Sequence, residues 1–257
     1  MGEDLYSQFS KNGYFLAKNI FNKNKILTYE KDFDKIIGQI KVSSENINAR
    51  WNSKLIKKYE TSDTSVLHTH NVQSYSSKML KMIQNEKLLD IAELLIGKDI
   101  ILHHTKLFSK PPMHGAAFPL HQDWSYFPTE KNSMIAAVVF VSDCKKGMGR
   151  IRIVKGSHMM GNVNGSDGHS KITEIHGKHS LETATPISAH KGDVLFFHCC
   201  TLHGSKPNLS KHERKSILIQ LYSGKDKPKE STHTNIQLTL RGWNYAATRN
   251  SVNSIKA

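Results

Sequence analysis

The sequence predicts a mainly β protein, a sandwich or barrel with helices gathered at its N-terminal end. Two observations carry this. From Ile100 onward, short apolar runs recur with Gly or Pro between them, as expected of strands joined by turns. Before that point the apolar residues keep helical spacing: Leu88, Leu89, Ile91, Ala92, Leu94 and Leu95 are the clearest set. A chain of 257 residues can bury one sizeable core, and β barrels of this size are commonly single domains. The expected partition of the one domain is a helical part over about 1–98, a β core over about 99–225 and a C-terminal tail over 226–257.

Residues 1–30 read as a short helix, a turn at Gly13, an extended segment over 14–17 and a second helix from about Asn24. Residues 31–70 are polar, and their period is ambiguous. Residues 75–97 read as helix, with Gly97 as its C-terminal cap. Strands are expected over 100–107, 135–141, 151–154, 194–197 and 217–222. The stretch 161–185 holds four glycines and many Ser, Asn and His. It reads as a long loop over the barrel mouth, of the kind that often acts as a lid. There is no repeat, linker or low-complexity tract.

The formal net charge is +14, and the last 57 residues hold ten Lys/Arg against three Asp/Glu. These cations are scattered and come with no recognition helix or zinc finger, so a nucleic-acid partner is not expected. A positive field that attracts small anions is the simpler reading. No apolar run approaches the roughly 18–20 residues of a membrane span. The start, Met-Gly-Glu-Asp-Leu-Tyr, lacks the basic-then-apolar layout of a signal peptide. The expectation is a cytoplasmic protein with no membrane partner. Cys144, Cys199 and Cys200 are odd in number, and two are adjacent. A disulfide framework is therefore not expected, and a reducing compartment suits free thiols.

The chemistry lies in His121-Gln122-Asp123, followed far downstream by His203 and, eleven residues on, by Arg214. Two imidazoles and one carboxylate with open positions make the facial triad of non-haem Fe(II) oxygenases. On a strand, residues i and i+2 share a face, so His121 and Asp123 can grip one ion while Gln122 points away. The third ligand must come from another strand to leave part of the metal open. A lone His-x-Asp means little in a chain with 15 histidines, so the surrounding segments matter.

Those segments are Pro119-Leu120-His121-Gln122-Asp123 running into Trp124-Ser125-Tyr126-Phe127-Pro128, then Gly149 to His158, then Gly192-Asp193-Val194-Leu195-Phe196-Phe197-His198, then Leu202-His203-Gly204-Ser205. Phe9 to Leu16 precedes them. In this order they resemble the phytanoyl-CoA dioxygenase family of Fe(II)/2-oxoglutarate oxygenases, from about Leu5 to about Tyr222. The resemblance implies a double-stranded β-helix, a cupin-like jelly roll, with helices packed on one side.

It also implies that His121, Asp123 and His203 are the catalytic metal ligands for Fe(II). Three coordination positions would stay free: two for the 1-carboxylate and keto oxygen of 2-oxoglutarate, one for O2. Arg214 falls where the family anchors the far carboxylate of that cosubstrate, and Arg matches a carboxylate bidentately. Ser205 matches the family's hydroxyl donor to the same group. Lys106 is a candidate contact for cosubstrate or substrate, and Lys110-Pro111-Pro112 matches the motif that ends its strand. Related halogenases replace the carboxylate by Gly or Ala, so Asp123 implies hydroxylation or another oxidative C–H outcome.

The chain departs from the family pattern at Arg150, Arg152 and Lys155, at Asn71 where a lysine is usual, and at Val139 where an aromatic is expected. These changes put an acyl-CoA substrate in doubt. Arg150 and Arg152 are two apart on an expected strand, so they share a face and leave Ile151 and Ile153 to packing. If that face opens into the barrel mouth, the substrate should be anionic. Trp124 and Tyr126 either line the pocket or pack.

The expected function is a 2-oxoglutarate-dependent dioxygenase that oxidises a C–H bond of a small anionic metabolite by hydroxylation, cyclisation or desaturation, releasing succinate and CO2. The alternatives are 2-hydroxylation of a branched fatty acyl-CoA and a non-catalytic jelly roll that senses a metabolite. The sequence does not specify an oligomeric state.

Overall fold

A computed structural model of the chain describes residues 2–170, 173–229 and 232–252. Helix α1 (Gly2–Asn12) stops at Gly13, whose φ of +79° turns the chain into strand β1 (Tyr14–Ala17). A Cβ at Gly13 would lie 2.5 Å from His158 Nδ1, so only glycine fits this turn. Helix α2 (Lys23–Lys41) is capped by Asn22, whose side chain accepts from the Lys25 amide. It buries Ile26, Tyr29, Phe33, Ile36, Ile37 and Ile40 at helical spacing. The ambiguous stretch 31–70 therefore divides. Its first part continues α2, a 3-10 turn covers Lys54–Tyr59, and β2 spans Leu67–His70. The expected helix over 75–97 is two helices, α3 (Ser77–Ile83) and α4 (Glu86–Ile96). Asn85 breaks them by accepting from the Leu88 amide and capping α4.

The remaining strands are β3 (Ile100–Lys110), β4 (Phe118–His121), β5 (Ile135–Phe140), β6 (Ile151–Ile153), β7 (Thr185–Pro186), β8 (Val194–His198), β9 (His203–Ser205), β10 (Arg214–Ser223) and β11 (Leu238–Arg241). The larger sheet runs β1-β8-β5-β10-β3-β11, with β2 also on β3, and the smaller runs β4-β9-β6-β7. The named pairings are antiparallel. This is the jelly-roll arrangement.

The period of two sorts the large sheet's side chains. Leu107, Val139, Phe196, Ile217 and Ile219 face one side and pack with α2, α3 and α4. Val138, Phe140, Leu195, Phe197 and Leu218 face the other side and meet Ile151 and Ile153 from the small sheet and Ile187 just after β7. Phe196 is fully buried, and truncating such a ring to Ala costs on the order of 3–5 kcal/mol.

Two expectations need correction. Residues 226–252 are not a tail: β11 adds a strand to the large sheet, with Leu238 opposite Leu102, and α6 (Arg249–Val252) follows. Arg241 at the end of β11 pairs with Glu86, Asp90 and Glu93 of α4. The stretch 161–185 is not structureless either. It contains α5 (Thr173–Lys178) and buries Ser166, Ile175, Leu181 and Ala184. Sparse apolar residues hid this packing because they lack a regular period. Among the described residues, no helix is long and apolar enough to cross a membrane.

Candidate metal centre

Strands β4 and β9 are neighbours in the small sheet, and their register sets His121 directly opposite His203. The strand ends at His121, and Asp123 opens a 3-10 turn, Asp123–Ser125. The expectation of both ligands on one strand is corrected in that detail. Gln122 keeps extended torsions, φ −106° and ψ 133°, so the alternation of side chains survives through Asp123.

His121 Nε2 lies 3.7 Å from Asp123 Oδ1, and His203 Nε2 lies 3.6 Å from the same oxygen. One ligand atom from each of the three residues falls within 4.8 Å of the others. Each imidazole is oriented from behind: His121 Nδ1 donates to Pro119 O at 2.9 Å, and His203 Nδ1 donates to Thr201 O at 3.0 Å. A carbonyl can only accept, so the proton belongs on Nδ1 and the Nε2 lone pair faces Asp123. Burial, with His203 close by, holds the His121 imidazole well below its usual pKa, hence neutral and ready to ligate. Asp123 Oδ2 accepts from Gln220 Nε2 at 2.6 Å. Two imidazoles that turn Nε2 toward a braced carboxylate fit a divalent iron site. His198, Cys199 and Cys200 form the other close cluster of this kind among the described residues.

Gln122 turns away from the triad, as expected. Its Nε2 donates to Gly161 O and Cys200 O, and its Oε1 accepts from the Val163 amide. It ties the segment after the ligand strand to the end of β8.

The triad opens into a cavity between the sheets of about 750 Å³, counting its mouth. Arg214 enters it from the start of β10 and is 2% exposed. Its Nη1 donates to Gly149 O, while its Nε has no partner. Ser205 lies beside it in the lining. Lys110, opposite Arg214 in the β3–β10 register, is wholly buried. Its Nζ donates to Ser205 Oγ at 2.6 Å and lies 4.6 Å above the Phe118 ring. Burial, with Arg214 nearby, pushes the Lys110 amine well below its usual pKa. The Arg214 guanidinium has no ion-pair carboxylate among the described residues. Buried charges left unpaired are costly, so this floor is suited to receive an anion.

Lys106 lines the cavity on the same face of the large sheet. Burial lowers its amine to about 8, opposed in part by the charge of Asp123. Tyr126 also lines the cavity, and its hydroxyl donates to Asp167 O. Trp124 does not line it: its Nε1 donates to Asn132 Oδ1 at 2.7 Å and its ring packs beside Phe127, Met134 and Cys199.

Arg150 and Arg152 are the larger correction. It is Ile151 that lines the cavity. Arg150 donates to Ser188 Oγ, and Arg152 to the carbonyls of Glu182 and Ala184. The parity reading was right, but the phase was set by Ile151 and Ile153 burying between the sheets.

Sequence reasoning missed Trp51, Phe108, Phe118 and His233, all of which line the cavity, and Gln220. Trp51 lies in the stretch without a period, and its ring centroid is 4.5 Å from that of His121. Gln220 carried one available signal, a polar residue facing inward on an apolar strand.

A family model for phytanoyl-CoA dioxygenase (PhyH) matches residues 9–216. The probable alpha-ketoglutarate-dependent hypophosphite dioxygenase of Stutzerimonas stutzeri is 25% identical over 222 residues, covering 82% of this chain and 75% of that one. The peroxisomal phytanoyl-CoA dioxygenase of Homo sapiens is 26% identical over 223 residues, covering 81% of this chain. The match spans 64% of the human protein's length. Among solved structures, the alpha-ketoglutarate-dependent epimerase SnoN from nogalamycin biosynthesis superposes with a TM-score of 0.74 at 16% identity, covering 94% of this chain and 98% of that one. EctD from S. alaskensis with bound Fe superposes at 0.71 with 16% identity, covering 94% and 84%. On the length of the family match, the chain belongs to the phytanoyl-CoA dioxygenase (PhyH) family of 2-oxoglutarate-dependent oxygenases.

Proposed function

We propose that this protein is an Fe(II)/2-oxoglutarate-dependent dioxygenase that oxidises a C–H bond of a small anionic metabolite. One observation carries the reading: the triad of His121, Asp123 and His203 opens into the same cavity as the buried, carboxylate-free Arg214. Ferrous iron bound there would, with 2-oxoglutarate and O2, supply the oxidising equivalents for the C–H bond, the cosubstrate leaving as succinate and CO2. His121 and His203 would present Nε2 to the metal, and Asp123 would present Oδ1. Arg214 and Ser205 would hold the far carboxylate, with Lys110 behind Ser205 orienting its hydroxyl. The aromatic walls of Trp51, Phe108 and Phe118 exclude water from the reacting side.

The cavity would have to hold the cosubstrate as well as the substrate, which supports a small substrate. A non-catalytic sensor would not need a redox-metal ligand set with an open side. The test is succinate release with Fe(II), 2-oxoglutarate and O2 across a panel that includes hypophosphite, ectoine, phytanoyl-CoA and small organic acids. Succinate formation stimulated by a small anion is expected. Stimulation by phytanoyl-CoA alone would reverse the substrate assignment, and no 2-oxoglutarate turnover under any condition would reverse the enzyme assignment.

A further inference from the structure

The turn that ends β8 gathers two neighbouring cysteines and a histidine at one point outside the triad. β8 stops at His198, and the chain turns through Cys199 and Cys200, closed by the Thr201 amide donating to His198 O at 2.8 Å. On a continuing strand the two thiols would point to opposite faces. At this turn their sulfurs converge to 4.0 Å. Two thiolates on one tetrahedral zinc ion, each at about 2.3 Å, stand roughly 3.8 Å apart. His198 Nδ1 lies 3.9 Å from Cys199 Sγ, and the ligand atoms of all three residues fall within 4.8 Å of one another. The Cys200 amide donates to His198 Nδ1 at 3.1 Å, so this nitrogen carries the lone pair.

His158 stands beside the cluster, its ring centroid 5.8 Å from that of His198. Its Nε2 donates to Ser10 O at 2.9 Å, which leaves the Nδ1 lone pair buried without a partner. A Cys199 S–H donor, with His198 and His158, holds the Cys200 thiol well below its usual range, while burial pushes the Cys199 thiol up. One of the two sulfurs is therefore already a thiolate, the form that ligates metals. Both cysteines are buried, but His198 is partly exposed and lines a surface cleft with Asn132 and Ser133, which gives an ion an entry path. The cluster backs onto the triad without sharing a residue with it. Cys200 O accepts from Gln122 Nε2, and Thr201 O accepts from His203 Nδ1.

We propose that His198, Cys199 and Cys200 form a second metal site, for a thiophilic cation of the zinc type. Thiolate and imidazole ligands select such an ion over the hard cations that oxygen ligands take. Binding exchanges the amide bond at His198 Nδ1 for a coordinate bond and releases the remaining thiol proton to solvent. Three protein ligands leave the fourth position of a tetrahedral ion to water.

The experiment is anaerobic titration of the Fe(II)-loaded protein with Cd2+, followed by ultraviolet thiolate-to-cadmium charge transfer. The triad holds no sulfur, so this absorption reports cysteine ligands only. Saturation at one equivalent is expected, with Zn2+ displacing the signal in competition. Cys199→Ser and Cys200→Ser should each weaken binding by at least about 100-fold, since losing even a residue behind a ligand typically costs about 10–100-fold. Cys144→Ser and His121→Ala should keep the full signal. Wild-type protein with no saturable absorption overturns the site, as does a full signal in either Cys199→Ser or Cys200→Ser. Loss of the signal in His121→Ala overturns its separation from the triad. A cadmium signal that Zn2+ cannot displace overturns the zinc-type assignment.

Discussion

The amide of Gln220 reaches across from the large sheet and donates to Asp123 Oδ2 at 2.6 Å. This contact turns the other oxygen, Oδ1, toward the Nε2 atoms of His121 and His203. It joins β10, the strand that also carries Arg214, to the ligand turn after β4. Removing such a brace typically costs about 10–100-fold in metal affinity. Gln220→Leu should therefore weaken Fe(II) binding by about that factor with the fold intact, read by anaerobic metal titration. Unchanged affinity would mean that the 3-10 turn alone orients the carboxylate.

His121→Ala and His203→Ala should each abolish Fe(II) binding and turnover, because each removes one of the three proposed ligands. Circular dichroism should remain that of the wild type, since both rings lie in the cavity lining. Stoichiometric iron in either variant would transfer that ligand position to another residue.

Arg214→Ala should raise the 2-oxoglutarate requirement by on the order of 2–5 kcal/mol, the usual cost of leaving a buried charge unpaired. Arg214→Lys should recover only part of this, because an ammonium cannot form the bidentate fork. The check is the KM for 2-oxoglutarate against that for the prime substrate. An unmoved cosubstrate KM would pass the anchoring role to Lys110 or Lys106.

Lys106 makes the ligand-free protein's stability depend on pH. Burial lowers its amine from 10.5 to about 8. Between those values the unfolded chain binds more protons than the native one, so this site's contribution to stability rises with pH. Below about 8 both states are protonated and the full desolvation penalty applies. Lys106→Met should thus stabilise the ligand-free protein most below pH 8, with the gain shrinking toward pH 10.5. Urea unfolding at the two ends of this window measures it, and a gain independent of pH would refute the burial argument.

Local order was largely legible. The Tyr14–Ala17 strand, the α4 periodicity and the runs that became β5, β8 and β10 are statements about a period of two or 3.6. The stretch 31–70 was not, because polar residues and a cap at Ser53 define its elements without an apolar rhythm. The same holds for 161–185, whose few buried residues are spaced by turns.

The proposed ligand set, the cationic residue eleven positions after His203 and the alternation that turns Gln122 from the triad could be read along the chain. These depend on spacing along one strand or on residue chemistry, which the chain carries locally. The inward face of β6 could not be read this way, because the phase of a strand is set by what packs on it. Burial of Ile151 and Ile153 between the sheets turned Arg150 and Arg152 to the outside. Long-range packing also brought Trp51, Lys106 and His233 to one cavity from three distant segments, and Gln220 to Asp123. No spacing in the sequence relates them, since what joins them is the closure of two sheets over a shared interior.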